Sequence, residues 1–443
     1  MLRGPMHGRI SQPVLLLDIS RLIWRARRRA PTGIDRVELA YAQHFIASGG
    51  NRTAYGVLHL FGFLFALSPA GARRFIEELS ARWESSTAPE RRAGLLGIAK
   101  IYVRLATSGW LVGLWLRRKL RTHGGPPIFL VVSHHHLARD YTIARIRRRL
   151  GAKTACLIHD LIPLEHPEYF PPGWEKRYRR LAANIGRLFD AVITNSESTA
   201  RSVRACLQGT SDSPSTRPVI RSAALGVRAV PRSKINIPSS QHDLSCIADR
   251  SYFVVLGTIE PRKNHLLLMN LWSRLAVTMA EPPRLIVIGA RGWENEQVLD
   301  MLERSRRLRG LVEERNGLSD TEVAPLLRRC QAMLLPSFAE GFGLPLAEAL
   351  AAGVPAICSD IPVLREVGRD VPEYLDPLDL RAWLDAVLEY CDPDSLRRAA
   401  QLQRLAAWQP PRWADHFSVV DELLKSLEAS KRDTLPVAAH EAL

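Results

Sequence analysis

Two glutamates that could bind hydroxyl groups stand eight positions apart, Glu340 and Glu348. Gly341 and Gly343 interrupt a continuous helix between them, and Pro345 favours the first helical turn. Glu340 is therefore expected in a loop and Glu348 one turn inside a helix. Backbone N–H groups at such a helix start attract phosphates or sugar hydroxyls, and the carboxylates accept hydrogen bonds from vicinal diols. Taken alone, an ordinary solvated helix start is the alternative interpretation.

A second chemical feature is the pair of cations Arg262 and Lys263, which follows a short apolar run over residues 252–256. A tight turn beginning at Gly257 would deliver both cations to the edge of a sheet. Positive charge before a helix opposes the helix dipole and is mildly unfavourable there. A bound diphosphate would offset that cost, whereas a solvated helix start would not.

Histidines follow two apolar runs in the first half. Residues 134–136 are three histidines after the run 128–132, and His159 and Asp160 follow the run 154–158. Ligands of doubly wound sheets bind beyond the carboxyl ends of the strands, so at least one histidine of the triplet is expected at a cleft. A packed structural histidine, or a capping role for Asp160, is the alternative.

The elements that must position these residues are short apolar strands that alternate with helical patterns. Such strands imply parallel sheets covered on both faces. The predicted strands span residues 14–18, 128–132, 154–158, 191–194, 252–256, 285–288, 332–335 and 356–358. We therefore predict an α/β protein with two Rossmann-like, doubly wound domains that face each other across a cleft.

The predicted domain limits follow from a Ser-, Pro- and Asp-rich stretch between the two series of strands. They are an N-terminal domain over residues 1–225, a linker over 226–250, a C-terminal domain over 251–410, and a final helix with a tail over 411–443. The final helix is expected to cross back onto the first domain.

Charge is distributed unevenly over the 443 residues. Residues 1–250 hold 39 Lys and Arg against 17 Asp and Glu, a net charge of +22, while residues 251–443 hold 22 against 28, a net charge of −6. A basic half suits nucleic acid, anionic lipid or a phosphorylated substrate. The six cysteines are scattered without a CxxC pair, which favours a reduced, cytoplasmic compartment.

Two segments of the second half resemble the donor-site motifs of the retaining GT-B glycosyltransferases of glycosyltransferase family 4. They are Gly-Thr-Ile-Glu-Pro-Arg-Lys-Asn at 257–264 and Glu-Gly-Phe-Gly-Leu-Pro-Leu-Ala-Glu at 340–348. The first half resembles the mannosyltransferase-like branch that builds bacterial surface polysaccharides, through Thr-Gly-Ile-Asp-Arg-Val-Glu at 32–38, Ser-His-His-His-Leu at 133–137, His-Asp-Leu-Ile-Pro at 159–163 and Thr-Asn-Ser-Glu-Ser at 194–198.

The resemblance implies roles in binding a nucleotide sugar. Glu348 would bind the ribose hydroxyls, Glu340 the transferred sugar, and Lys263 with Arg262 the diphosphate. The amides near Phe342, Gly343 and Leu344 would also hold the donor. Many members of the family carry Arg where this chain has Thr258, so either Arg262 substitutes for it or the diphosphate is bound more weakly.

In the first half the resemblance places Gly33 near the donor phosphates and a histidine beside the reacting sugar. We expect that histidine to be His134, with His136 as its rival, and we expect His159 and Asp160 on the acceptor side. A turn glycine without a ligand is the other interpretation of Gly33.

The resemblance implies transfer of a hexose with retention, from a nucleotide-diphosphate sugar to a saccharide acceptor that we expect to be lipid-linked. Fixed cations and a helix dipole would stabilise the leaving diphosphate, so we predict no metal and no cofactor. The literal Asp-x-Asp at Asp392 and Asp394 is expected to cap a helix.

No apolar run approaches the roughly 20 residues that a membrane-spanning helix needs. Residues 95–121 combine Trp and Leu with several Lys and Arg, which is the pattern of an amphipathic helix on anionic lipid or of a core helix with a solvated end. We expect a cytoplasmic protein and, as a hypothesis, peripheral binding to the inner face of the membrane.

Three other functions compete with this interpretation. A sugar phosphorylase or an epimerase on the same fold would also bind phosphate. A Rossmann oxidoreductase would carry Gly-x-Gly-x-x-Gly after its first strand, and this chain lacks that motif. A nucleic-acid-binding protein would explain the basic residues, but no such signature accompanies them, so we expect no nucleic acid partner.

Overall fold

The computed structural model describes residues 13–28, 31–48, 52–60, 63–84, 118, 120, 125–138, 140–208, 217–227 and 250–429. The amphipathic pattern at 95–121, apart from residues 118 and 120, and most of the predicted linker lie outside these ranges. Within them, no helix is long and apolar enough to cross a membrane.

The first domain is built on one twisted sheet whose strands, among the described residues, run in the order β3-β2-β1-β4-β5-β6-β7. Only β2 and β3 pair antiparallel in that set, and the other neighbours are parallel. The strands are β1 Leu15–Asp18, β2 Ala54–Leu60, β3 Phe63–Ala66, β4 Ile128–Val131, β5 Lys153–Ile158, β6 Ala191–Thr194 and β7 Val219–Ser222.

Helices cover both faces of this sheet, because alternate residues of its central strands belong to two different cores. Leu15 and Leu17 pack into one core, and Leu16 packs into the other. The helices are α1 Ser20–Arg25, α2 Gly33–Ala42, α3 Pro69–Glu84, α4 Asp140–Leu150, α5 Ile162–Glu165, α6 Trp174–Leu188 and α7 Glu197–Gln208.

The second domain is a parallel sheet with the strand order β10-β9-β8-β11-β12-β13 among the described residues. Its strands are β8 Tyr252–Leu256, β9 Arg284–Ile288, β10 Val312–Arg315, β11 Met333–Leu335, β12 Ala356–Ser359 and β13 Glu373–Leu375. Its helices are α8 His265–Thr278, α9 Glu296–Arg304, α10 Asp320–Arg329, α11 Leu344–Ala351, α12 Pro362–Gly368, α13 Leu380–Cys391 and α14 Leu396–Ala407.

The fold predicted from the sequence is confirmed, since two doubly wound sheets are present and all eight predicted strands lie within one residue of observed strands. Most of the apolar stretch 55–67 belongs to β2 and β3, which pair antiparallel. Five strands were not predicted: β2, β3, β7, β10 and β13. The domain limits at 225, 250 and 410 stay predictions.

The final helix, α15 Trp413–Ala429, packs against the first domain. Buried His416 donates from Nδ1 to the Ala223 carbonyl at 3.0 Å, so its Nε2 accepts from the Tyr41 hydroxyl at 2.8 Å. The Phe417 ring stacks on His44 with centroids 3.9 Å apart. This contact ties the end of the second half to the helix that carries Gly33.

Replacing His416 by Leu should lower the free energy of unfolding by about 2 to 4 kcal/mol at pH 7, because a buried hydroxyl and a carbonyl lose their partner. Burial lowers the pKa of His416 to about 4 from 6.5, so the stability given by the neutral ring is complete above pH 6.5 and is lost as the pH falls towards 4. The difference between the two proteins should therefore shrink across this window.

Urea unfolding at several pH values measures this difference, with Glu422→Ala on the exposed side of the same helix as a control. A difference that stays constant from pH 7 to pH 4.5 would show that protonation of His416 plays no part.

Candidate active site

A cluster of buried charges lies at the carboxyl ends of β8 and β11. Lys263 Nζ donates to Glu340 Oε1 at 2.5 Å, and Arg262 Nη1 donates to Glu340 Oε2 at 3.0 Å. Arg262 Nε also lies 2.6 Å from Glu260 Oε1, and the Ser337 hydroxyl donates to Glu340 at 2.8 Å. The structure thus brings together both predicted cations and the first predicted glutamate.

The electrostatics of this cluster keep Glu340 ionised. Burial alone would raise the pKa of Glu340, but the charges of Lys263 and Arg262 outweigh it and hold the pKa at about 2. Burial lowers the pKa of Lys263, and Glu340 opposes that shift. The cluster contains two cations, Lys263 and Arg262, and two carboxylates, Glu340 and Glu260. Its formal charge is therefore zero. An anionic ligand would therefore compete with Glu340 for partners that are already in place.

The turn that carries the cations has a strained but well-supported backbone. Pro261–Lys263 forms a single 3-10 turn, and Asn264 then adopts a left-handed conformation at φ 53°, with its side chain donating to the Pro377 carbonyl at 2.8 Å. Gly257 has φ +153°, and a Cβ atom there would lie 3.3 Å from Lys263 Cε. The glycine leaves room for the lysine stem, so the Lys263 ammonium reaches Glu340.

The helix α11 begins at Leu344, directly after Gly343 and before Pro345, and it ends at Ala351. Its N-cap, Gly343, has φ 85°, a conformation that favours glycine. The Phe342 side chain is buried in the core. Glu340 lies in the preceding loop and Glu348 one turn inside the helix, as predicted. The first N–H groups of a helix have no partner within it and point outward.

Gly33, the predicted phosphate-side glycine, is the first residue of α2 and faces the start of α11. A Cβ atom at Gly33 would lie 3.3 Å from Leu344 Cδ1. The side chain of Thr32 caps α2, and Asp35 completes the capping box. One turn into α2, Arg36 contacts Glu348 across the cleft at 3.4 Å. Two helix starts therefore converge, one from each domain.

His134 is buried, and both of its ring nitrogens have partners in the protein. Nε2 accepts from the backbone N–H of His159 at 2.9 Å, and Nδ1 lies 3.1 Å from the Tyr178 hydroxyl. Burial lowers its pKa to about 3, so the ring is neutral near pH 7. His136 is also buried and packs edge-on against His59, whereas His135 is exposed. In this arrangement His134 supports the loop that follows β5, and its catalytic role stays a prediction.

His159 and Asp160 lie where the two domains meet. His159 Nε2 is 2.8 Å from the Val132 carbonyl, and a Cβ atom at Gly341 would lie only 2.3 Å from the His159 carbonyl oxygen. Burial raises the pKa of Asp160, and the nearby charge of Arg262 opposes that shift. Asp160 therefore faces the cation cluster from the first domain.

Further contacts that the sequence did not reveal join the two domains near His159 and Asp160. The Gly341 carbonyl accepts from the Ser196 hydroxyl at 2.9 Å and from the Thr199 hydroxyl at 3.1 Å. The Glu366 carboxylate accepts from the backbone N–H groups of Glu197 at 2.6 Å and Ser198 at 3.1 Å, at the start of α7. The Thr-Asn-Ser-Glu-Ser motif signalled this loop, but no local pattern pointed to its partners.

No group of three or more His, Cys, Asp or Glu side chains that could hold a metal occurs among the described residues. The Asp-x-Asp pair was expected to cap a helix. Asp392 is the C-cap residue of α13, but neither aspartate is the N-cap of α14. Asp392 accepts from the backbone N–H of Asp394 in an exposed turn, and Ser395 caps α14. The Ser395 hydroxyl accepts from the backbone N–H of Arg398, so it provides the side-chain cap at the start of α14.

Comparisons with known proteins agree with this architecture. The family described as Glycosyl transferases group 1 matches residues 241–372, and the family described as Glycosyltransferase Family 4 matches residues 69–212. A crystal structure of HepE from Anabaena, in complex with UDP and glucose, has the same fold. It superposes with a TM-score of 0.61 at 14% identity, covering 95% of this chain and 100% of that one.

Two curated relatives from Escherichia coli are mannosyltransferases by name. O-antigen chain mannosyltransferase B is 29% identical over 58% of this chain and 65% of its own length. Serotype-specific mannosyltransferase WbdA is 27% identical over 50% of this chain and 28% of its own length. The chain thus matches less than two thirds of the length of either relative.

Replacing Gly341 by Ala should force the two domains apart, because the new methyl group would lie 2.3 Å from the His159 carbonyl. We expect a larger radius of gyration in small-angle scattering and a lower melting temperature. Gly353→Ala is the matched control, since Gly353 has φ +77° but no atom within 4 Å of its Cβ position.

The control should lose about 1 to 2 kcal/mol through backbone strain without any change in dimensions. Equal scattering curves for Gly341→Ala and the unaltered protein would contradict the close approach at His159.

Proposed function

Because the chain belongs to glycosyltransferase family 4, we propose that it transfers a hexose from a nucleotide-diphosphate sugar to a saccharide acceptor in the synthesis of a surface polysaccharide. The observation that carries the proposal is the pair Arg262 and Lys263, fixed by Glu340 in the loop that precedes α11. Both curated relatives are named mannosyltransferases, which makes mannose the sugar that we propose.

The chemistry proposed for the site is stabilisation of a departing diphosphate. Its charge develops as the bond to the sugar breaks, and preorganised donors aimed at that charge lower the barrier. Lys263 and Arg262 would provide two cations, and the first amides of α11 would provide uncharged donors. These donors are already held in place in the folded protein by Glu340 and by the helix start.

Glu340 and Glu348 would hold the two ends of the donor. When the diphosphate takes the cations as partners, Glu340 is freed to accept hydrogen bonds from hydroxyl groups of the transferred sugar. Glu348, with its side chain 25% exposed, can accept from the ribose diol. His134 would support the loop beside the sugar, and Asp160, which faces Arg262, would lie towards the acceptor.

We further propose that the reaction retains the anomeric configuration and needs neither metal nor cofactor. Lys263 and Arg262 would replace the divalent ion that other glycosyltransferases use for the diphosphate. Product analysis by NMR gives the configuration directly. Activity that persists in excess EDTA supports direct charge stabilisation by the protein.

Turnover from a panel of UDP-, GDP- and ADP-sugars, with and without EDTA, tests the function. Lys263→Ala should lower kcat/KM by about 100- to 1,000-fold, since it removes a charged donor from the leaving group. Lys263→Arg should retain part of the activity. Arg412→Ala, which removes an exposed cation just before the last helix, should behave as the unaltered protein.

Two results would refute the proposal: no turnover or binding of any sugar nucleotide, or full activity in Lys263→Ala. A product that is a free sugar phosphate would instead assign the protein to the phosphorylases.

The acceptor that we propose is lipid-linked, and the basic first half would dock on the anionic inner face of the membrane. The sequence pattern at 95–121 and the net charge of +22 over residues 1–250 support this docking. The purified protein should float with vesicles that contain anionic phospholipid and should release at high salt. Equal flotation with neutral and anionic vesicles would contradict electrostatic docking. Flotation with neither kind of vesicle would also contradict it.

A further inference from the structure

The side chain of Arg36 crosses from the first domain to two carboxylates of the second. Its Nη1 atom lies 2.9 Å from Asp320 Oδ2 and 3.4 Å from Glu348 Oε1, and its Nη2 atom pairs with Asp320 Oδ1. The contact with Asp320 is therefore a bidentate ion pair, which fixes the orientation of the guanidinium. Glu348 shares the same guanidinium through one oxygen.

The three residues lie at helix starts, which makes their positions well defined. Arg36 is one turn into α2, Glu348 is one turn into α11, and Asp320 is the first residue of α10. Ser319 caps α10 with a complete capping box. Asp320 is thus an anchor on a rigid helix end, where its negative charge is favoured by the dipole.

Arg36 favours the ionised form of Glu348. Burial raises the pKa of Glu348, Arg36 lowers it, and the charge of Asp320 raises it again. The charged groups that face Glu348 are Arg36 on α2 and Asp320 on α10, while Asp35 acts on Arg36. Without Arg36, two carboxylates would face each other, and the protonated form of Glu348 would be favoured.

We propose that Arg36 is a positioning residue for the nucleoside half of the donor, acting through Glu348. It holds the Glu348 carboxylate ionised and oriented, with its second oxygen available to the ribose diol, while Asp320 holds Arg36. Because Arg36 belongs to the first domain, the ribose site in the second domain is complete only when the domains are together. This inference rests on the proposed function.

The test compares three probes by calorimetry: a nucleoside diphosphate, its 2′,3′-dideoxy analogue, and inorganic pyrophosphate. The unaltered protein should favour the ribose form over the dideoxy form by about 10- to 100-fold, as expected for hydrogen bonds to a charged group. In Arg36→Gln the ratio of the two affinities, ribose form over dideoxy form, should fall close to one. Pyrophosphate affinity should stay within about twofold, because Lys263 and Arg262 are unchanged, and this also shows that the variant folds.

Companion variants separate positioning from general destabilisation. Glu348→Gln should lose the ribose preference as Arg36→Gln does, and the double variant should lose no more than either single one. Asp320→Asn should reduce the preference, and Arg36→Lys should restore part of it. Arg412→Gln, at the exposed residue just before the last helix, is the matched control and should change nothing.

The pH dependence of the ribose preference distinguishes the proposed role of Arg36 from a purely structural role, which would not change that dependence. Glu348 accepts both hydroxyls only when ionised, so the ribose preference should be present at high pH and lost as the pH falls. Removal of Arg36 raises the pKa of Glu348, so Arg36→Gln should recover its preference at a higher pH than the unaltered protein. Glu348→Gln should show no such recovery.

The outcomes are distinct. An unchanged ribose preference in Arg36→Gln overturns the inference, and an equal loss of pyrophosphate affinity overturns it in favour of a phosphate ligand. If the unaltered protein binds neither nucleoside diphosphate nor pyrophosphate, the proposed function fails and this inference fails with it.

Discussion

Two neighbouring cations at the carboxyl edge of the second sheet must stay ionised away from bulk water, and the site is organised by this constraint. A buried charge without a partner is costly, so Lys263 and Arg262 require carboxylates. Glu340 supplies two oxygens, Ser337 orients one of them, and Glu260 supports Arg262. The protein therefore keeps an anion of its own at the place proposed for the diphosphate. The cations need no rearrangement when a ligand arrives, because they are already held by their turn.

Much of the fold could be predicted from the sequence, because strands buried on both faces are apolar throughout. The strands that escaped prediction lie towards the sheet edges, where burial is partial and the apolar run is broken. The alternating exposure of β7 and the half-buried residues of β10 and β13 show this. At the other edge, β2 and β3 formed one long apolar stretch whose antiparallel pairing the sequence did not indicate.

The site divides in the same way. Glu340, Glu348 and the two cations could be placed because each lies within a few residues of a strand end and a turn signal. Contacts between residues that are distant in the chain could not be predicted, since no local sequence pattern indicates them. Arg36 and Asp320 are 284 positions apart, and Glu366 is 169 positions from Glu197. Such pairs arise from how the two sheets face each other, and that relation is absent from local periodicity.

The five residues from Glu340 to Leu344 link the chemistry to the arrangement of the domains. Glu340 binds the cations, and the Gly341 carbonyl accepts from Ser196 and Thr199 of the first domain. Gly343 then sets the start of α11, whose first residue, Leu344, meets Gly33. A shift in this segment would change the cation cluster and the domain contact together. The cation cluster and the contact between the domains are therefore linked through the backbone of one short turn, and Arg36 adds a second link through its side chain.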